Sequence, residues 1–290
     1  MKEQTKLRLL VAVPMFTFGT LGLFTRNIDL SSGELALCRA CLAALLIIVF
    51  LTVTKQGFDL KSIKKDVPFL AASGVAMGIN WIFLFEAYKY TTISLATLSY
   101  YFAPVIVTAA SPILFHERLT KKQVICFVMS TLGLVLIIGV GGGGSGNGTD
   151  LLGILFGLLA AVFYATVILL NKFIKDVEGI QRTLLQFIAA IVILIPYVAL
   201  TGGLRLSALS GVGIVCLLTV GFIHTGVTYC MYFTGLKDLS GQEASILSYI
   251  DPLTAVIVST LFLGESISAL QLLGGALILG FTIWNEIGQD

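Results

Sequence analysis

Asp251 and Pro252 interrupt the run "SILSYIDPLTAVIVST" at 245–260, whose other residues are apolar or carry hydroxyls. A carboxylate in such a run can hold a cationic group or take up and release a proton. If the run lies in lipid, a charge there costs about 2.5–3.5 kcal/mol on insertion scales, so an acid at that depth is a functional candidate by default. Pro252 breaks the helical ladder and frees a carbonyl one turn back. Ser248, Asp251 and Thr254 share a helical face. The plainer alternative is a protonated acid plugging a kink by hydrogen bonding.

Three other ionisable residues stand in apolar surroundings. Glu86 either works as a proton carrier or snorkels and pairs with Lys89 one turn on. His224 lies near Thr228, as a helix-bridging group or a proton relay. Arg39 pairs with Glu34 or a backbone carbonyl, or greets a substrate carboxylate. Trp81, Phe85 and Tyr88 recur at helical spacing, a stripe suited to packing, to an interfacial belt or to a ligand. Thr97, Tyr101, Pro104, Thr108 and Ser111 line one helical face; Ser245, Tyr249, Pro252 and Ser259 line another. Such matching faces read as a cavity lining or as helix-packing glue. The expected substrate contacts are Asp251, Tyr101, Tyr249, Glu86, Trp81, Tyr100, Ser248, Thr97 and Tyr164. The proton-coupling candidates are Asp251, Glu86 and His224.

The elements that must position these residues follow from composition. The chain is 57% hydrophobic and 12% charged, where a soluble chain carries about 25% charged residues. Mean hydropathy is +0.98. Apolar runs long enough to cross about 30 Å of hydrocarbon recur along the whole length. Ten are expected, at 7–24, 33–53, 67–88, 93–115, 122–140, 151–170, 182–200, 209–234, 242–262 and 267–285. The fold class is therefore an all-α membrane protein of ten transmembrane helices. The N-terminal "MKEQTKLRLLVAVPMF" mimics a signal peptide but carries no A-x-A cleavage site, so it reads as the first span. With the N-terminus in the cytoplasm, alternation places fourteen Lys/Arg inside and three outside (Arg26, Lys89 and Arg205), with Arg39 inside a span. That bias orients both termini to the cytoplasm.

Other chemistries find no support. H-E-x-x-H and G-x-S-x-G are absent, and His116-Glu117 lacks a second histidine. With only two histidines, on distant segments, neither a metal nor any other cofactor is expected, and an enzyme is not expected either. The glycine-rich stretch 141–150 has no strand before it and no Gly-Lys-Ser/Thr after it, so it reads as an outer linker rather than a phosphate loop. The five cysteines lie in apolar segments as small hydrophobes. A net charge of +2 with no basic block indicates no nucleic acid.

The chain is written twice. Shifted by 148 residues, Lys89 falls on Lys237, Ala96 on Ala244, Tyr101 on Tyr249, Pro104 on Pro252, Glu117 on Glu265 and Gln123 on Gln271. The halves, 7–140 and 151–285, each hold five spans. Five is odd, so the second half enters the membrane from the opposite face and the repeats are inverted, as in many transporters.

"AYKYTTISLATLSYYFAPVIVTAASPILFHERLT" and "TGLKDLSGQEASILSYIDPLTAVIVSTLFLGESIS" resemble the signature region of EamA domains of the drug/metabolite transporter superfamily. The shared marks are the Lys or Arg after the third helix of each half, the proline-bearing fourth helix rich in small residues, and the (G/H)-E-x-(L/I) after it. His116 stands where the family usually has Gly or Lys. The resemblance covers essentially the whole chain and implies a cavity between the halves and the export of amino acids or other metabolites.

With no Walker motif, ATP does not drive the chain directly. The expectation is a secondary-active or facilitative transporter, an exporter of amino acids or related amines, working by alternating access in a bacterial inner membrane. Its partners would be a small-molecule substrate, the bilayer and coupled protons, with the chain a monomer or homodimer. The competing readings are a polytopic membrane enzyme and a channel-like subunit.

Overall fold

The computed structural model describes residues 2–55, 57, 60–115, 120–140, 149–177, 179–236 and 247–286. These form helices, and no strand occurs among the described residues. The first half holds α1 (Lys2–Gly19), α2 (Leu21–Thr25), α3 (Ser32–Val53), α4 (Leu60–Tyr90), α5 (Ile93–Tyr100), α6 (Ala103–Phe115) and α7 (Lys121–Val140). The second holds α8 (Asp150–Asn171), α9 (Gly179–Leu200), α10 (Gly211–Leu218), a π-helical stretch (Thr219–Val227), α11 (Thr228–Leu236), α12 (Ile250–Leu263) and α13 (Ala269–Glu286). Most of the linker, 141–148, lies outside the described residues, as do His116, Glu117, Lys237 and Ser245.

Among the described residues, seven helical stretches are long and apolar enough to cross a membrane: Thr5–Thr25, Ser32–Val53, Ile63–Tyr90, Ile93–Ala110, Asp150–Asn171, Gly179–Leu200 and Gly211–Gly235. Ile250–Leu263 and Ala269–Asn285 are apolar but shorter. The outward faces are apolar as well: Leu45, Val49, Val192, Ile195, Leu261 and Phe262 are all exposed. Water would not tolerate that belt, and lipid does. The protein is a multi-pass membrane protein.

Helix ends are set by local chemistry. Ser31 and Glu34 form a capping box at the start of α3, each side chain bonding the other residue's backbone N–H. Thr92 caps α5 by accepting from Leu95 N, and Ser210 caps α10 by accepting from Gly213 N. Glu265 does the same over a long range: its carboxylate accepts from Ile93 N at 2.9 Å, at the start of α5, and pairs with Arg26. An anion at a helix N-terminus is favoured by the free N–H groups and the helix dipole.

The strongest helix pairings all cross between the halves. They also come in twins under the 148-residue shift. α4 on α8 answers α11 on α1, and α4 on α9 answers the π-helical stretch on α3. α6 on α8 answers α12 on α1, while the α3–α9 and α7–α13 pairs map onto themselves. The shared core is built on α3 and α9, where Ala36, Ala40, Ala43 and Ile47 meet Leu184, Phe187, Ala190 and Leu194. Small residues let the backbones close up. At Gly74 a Cβ would come 2.6 Å from Ala189 Cβ on α9, too near to fit without movement.

Candidate functional site

Two broken helices meet at the centre. The segment expected as the fourth span divides at Tyr101–Phe102, between α5 and α6. The ninth divides at its repeat twin, Tyr249, before α12. Each break precedes a proline, Pro104 and Pro252, whose missing N–H cannot continue the ladder. Asp251 therefore lies in the first turn of α12, where the helix dipole favours negative charge.

The two breaks are joined through the Tyr101 hydroxyl. Tyr101 Oη donates to Asp251 Oδ2 at 2.6 Å, and the Ser248 carbonyl lies 3.4 Å from the same hydroxyl. The Tyr101 and Tyr249 rings are 6.5 Å apart. Tyr100 meets Tyr101 edge-on at 5.8 Å and stacks on Tyr164 of α8 at 5.1 Å. From α1, the Gly19 backbone comes so close to α12 that a Cβ there would lie 2.5 Å from the Asp251 carbonyl oxygen.

Arg39 is buried in the helix that packs against α9. Its side chain leaves α3 and is 3% exposed. Nε donates to Thr225 Oγ1 at 2.7 Å, and Thr225 in turn donates to the Val220 carbonyl five residues back, across the wide π-helical turn. The guanidinium carbon lies 4.8 Å from the Trp81 ring and 5.7 Å from the Phe85 ring, a cation–π arrangement. Asp251, Tyr88, Tyr100 and Tyr229 all lie within its electrostatic reach. No carboxylate comes within 4.0 Å of it among the described residues.

The expected Arg39–Glu34 pair does not form. Five residues of helix turn the two side chains about 140° apart. Glu34 instead caps its own helix and accepts from Arg205 N at 2.6 Å.

The repeat explains how this cluster is framed. Under the 148-residue shift Trp81 maps to Tyr229, Phe85 to Phe233 and Arg39 to Phe187. Phe187 touches both Trp81 and Tyr229 with ring centroids 5.3 Å away, so an aromatic ring fills in one half the position that the guanidinium fills in the other. Asp251 likewise stands opposite Ala103. Arg39 and Asp251 are both places where the two copies differ, so the frame does not require them.

The remaining expected residues are placed as follows. Trp81 lies against Arg39. Thr97 Oγ1 is enclosed and makes no hydrogen bond of ordinary length, with the Tyr88 hydroxyl beside it. Glu86 is held by Lys89 Nζ at 3.3 Å in a half-exposed pair near the end of α4. His224 lies in the π-helical stretch, with Nε2 2.9 Å from Thr20 Oγ1 and Nδ1 3.3 Å from the Thr219 carbonyl, and Phe24 edge-on at 4.7 Å. It bridges two helices.

Asp251, Tyr101, Tyr249, Tyr100, Tyr164 and Ser248 are thus brought together, with Trp81 beside Arg39. Glu86 and His224 are engaged elsewhere. Sequence reasoning did not single out Tyr229 or Thr225, and it left Arg39 open between a structural pair and a substrate carboxylate. The available signals were the depth of Arg39, about two turns into an apolar helix, and the pairing of Tyr229 with Trp81 across the repeat. The π-helical stretch carried no sequence signal that was used, although such segments concentrate at functional sites.

The chain matches the EamA-like transporter family over residues 6–139 and again over 151–285. It is 32% identical over 278 residues to the "Uncharacterized transporter YxxF" of Bacillus subtilis (strain 168), covering 96% of this chain and 88% of that one. It is 27% identical over 271 residues to an "Uncharacterized transporter" of Archaeoglobus fulgidus, covering 92% of each. A solved crystal structure superposes with a TM-score of 0.66 over 95% of this chain and 94% of the other at 19% identity, a likeness of fold.

Proposed function

The chain belongs to the EamA-like transporter family, and from that premise we propose that it is a secondary-active or facilitative exporter of amino acids or related amines. It works by alternating access. Ten helices cross the membrane as two inverted five-helix repeats, with both termini cytoplasmic and the site between the halves. The membrane is a bacterial inner membrane. The twinned helix pairings and the fourteen-to-three distribution of Lys/Arg support this arrangement.

One observation carries the functional reading: Tyr101 at the break in one half bonds Asp251 at the break in the other, at 2.6 Å. Discontinuous helices that meet between repeats are where such carriers hold substrate. An acid among aromatic rings suits an ammonium group on an apolar body, by charge pairing and cation–π contact. When the ammonium leaves, Tyr101 or a proton takes its place on the carboxylate.

The test is counterflow in proteoliposomes. Vesicles loaded with an unlabelled amino acid should accumulate the labelled one transiently above its outside concentration. A channel only equilibrates the label and an enzyme converts it, so either result rejects the carrier.

A further inference from the structure

We infer that Arg39 is the carboxylate-recognising pole of the site, so that its substrates are zwitterionic amino acids and not amines. The inference rests on the exporter reading and narrows it. A guanidinium has five N–H donors in a planar fork. The only hydrogen bond Arg39 makes among the described residues runs from Nε to Thr225, which leaves both terminal amino groups without a partner there. Arg39 as a whole is 3% exposed, so bulk water reaches little of it. Leaving a buried charged donor unmatched is costly.

The rings of Trp81 and Phe85 engage the guanidinium π system, and they accept no conventional N–H bond in its plane. The fork suits a bidentate oxyanion, which a carboxylate is. Asp251 forms no ion pair with Arg39, since no carboxylate comes within 4.0 Å of the guanidinium among the described residues. A cation and an anion held apart among aromatic rings match the reversed poles of an α-amino acid. Its carboxylate meets Arg39, its ammonium meets Asp251, and its side chain lies among the tyrosines. The helical frame offers no competing reason for the arginine, because its twin is Phe187.

Two ligand sets test this with the purified full-length protein, by thermal shift and by counterflow: leucine, 3-methylbutylamine and 4-methylpentanoate; and phenylalanine, 2-phenylethylamine and 3-phenylpropanoate. In the set whose side chain fits, the amino acid should bind about 10- to 100-fold more tightly than the amine or the acid, the range for a hydrogen bond to a charged group. Arg39→Gln should bring the amino acid down to the affinity of the amine and leave the amine within about twofold of its wild-type value. Arg39→Lys, which keeps the charge and loses the fork, should fall between.

The inference is overturned if wild-type protein binds an amine or an acid as tightly as its amino acid. It is equally overturned if Arg39→Gln weakens amine and amino acid alike, as a purely structural role predicts. Should Arg39→Gln fail to fold, the wild-type comparison alone decides. If none of the six compounds binds or exchanges, the amino-acid reading of the site falls with this one, whereas tight amine binding leaves the exporter reading standing.

Discussion

At the scale of single residues, the site is held by few strong contacts. If Asp251 carries the coupling proton, transport depends on pH and Asp251→Asn removes both that dependence and most of the rate. A pH profile in the mutant parallel to wild type, read by counterflow across a pH series, rejects the role. The group that contacts that carboxylate is Tyr101, with Tyr100 and Tyr249 next to the Tyr101 ring. Tyr101→Phe deletes the bond between Tyr101 and Asp251. Helix-to-helix hydrogen bonds in membranes are worth about 0.6–1.7 kcal/mol, so the empty state loses a stabilising latch and apparent substrate affinity changes by about three- to twentyfold. Asp251, Tyr101 and Tyr249 were legible because an acid and two prolines stand out against an apolar, twice-written sequence. Arg39 was harder to read, because five residues of helix rotation separate it from the acid that seemed its natural partner.

At the scale of elements, the breaks and their anchors matter more than helix propensity. Glu265 ties the start of α5 to the loop after α12, accepting from Ile93 N while paired with Arg26. Glu265→Gln weakens a buried charge-assisted bond worth about 1–3 kcal/mol, so the melting temperature should drop by several degrees. Glu86→Gln removes only a half-exposed pair, worth about 0–1 kcal/mol, and should move it by no more than about 2 °C. Equal shifts in the two variants would contradict the anchoring role of Glu265. The proline breaks were foreseeable, since proline cannot donate to the ladder. The π-helical stretch was not: its glycines and hydroxyls occur equally in regular helices, and its Gly221 and Gly226 pack against Leu42 and Leu46 on α3.

At the scale of the whole molecule, the repeat predicts opposite exposure of equivalent positions. In a cysteine-free background, Lys89→Cys should react with an impermeant maleimide in intact cells. Lys237→Cys, its twin, should react only after permeabilisation. Labelling of both from one side would end the inverted arrangement.

The sequence by itself determined that this chain lives in lipid, that it consists of helices, and that it is a duplicated transporter of a known family. Those properties are written locally, in charge content, run length and a 148-residue repeat. Only the tertiary structure decided which intramembrane groups share a site. Glu86, His224, Asp251 and Arg39 are all ionisable groups in apolar helices, and nothing local ranks them. Residues 186 and 150 positions apart, Arg39 with Thr225 and Tyr101 with Asp251, meet because the halves pack across each other. Helix rotation and the close approach of small residues set those meetings, and neither is visible in a linear order of side chains.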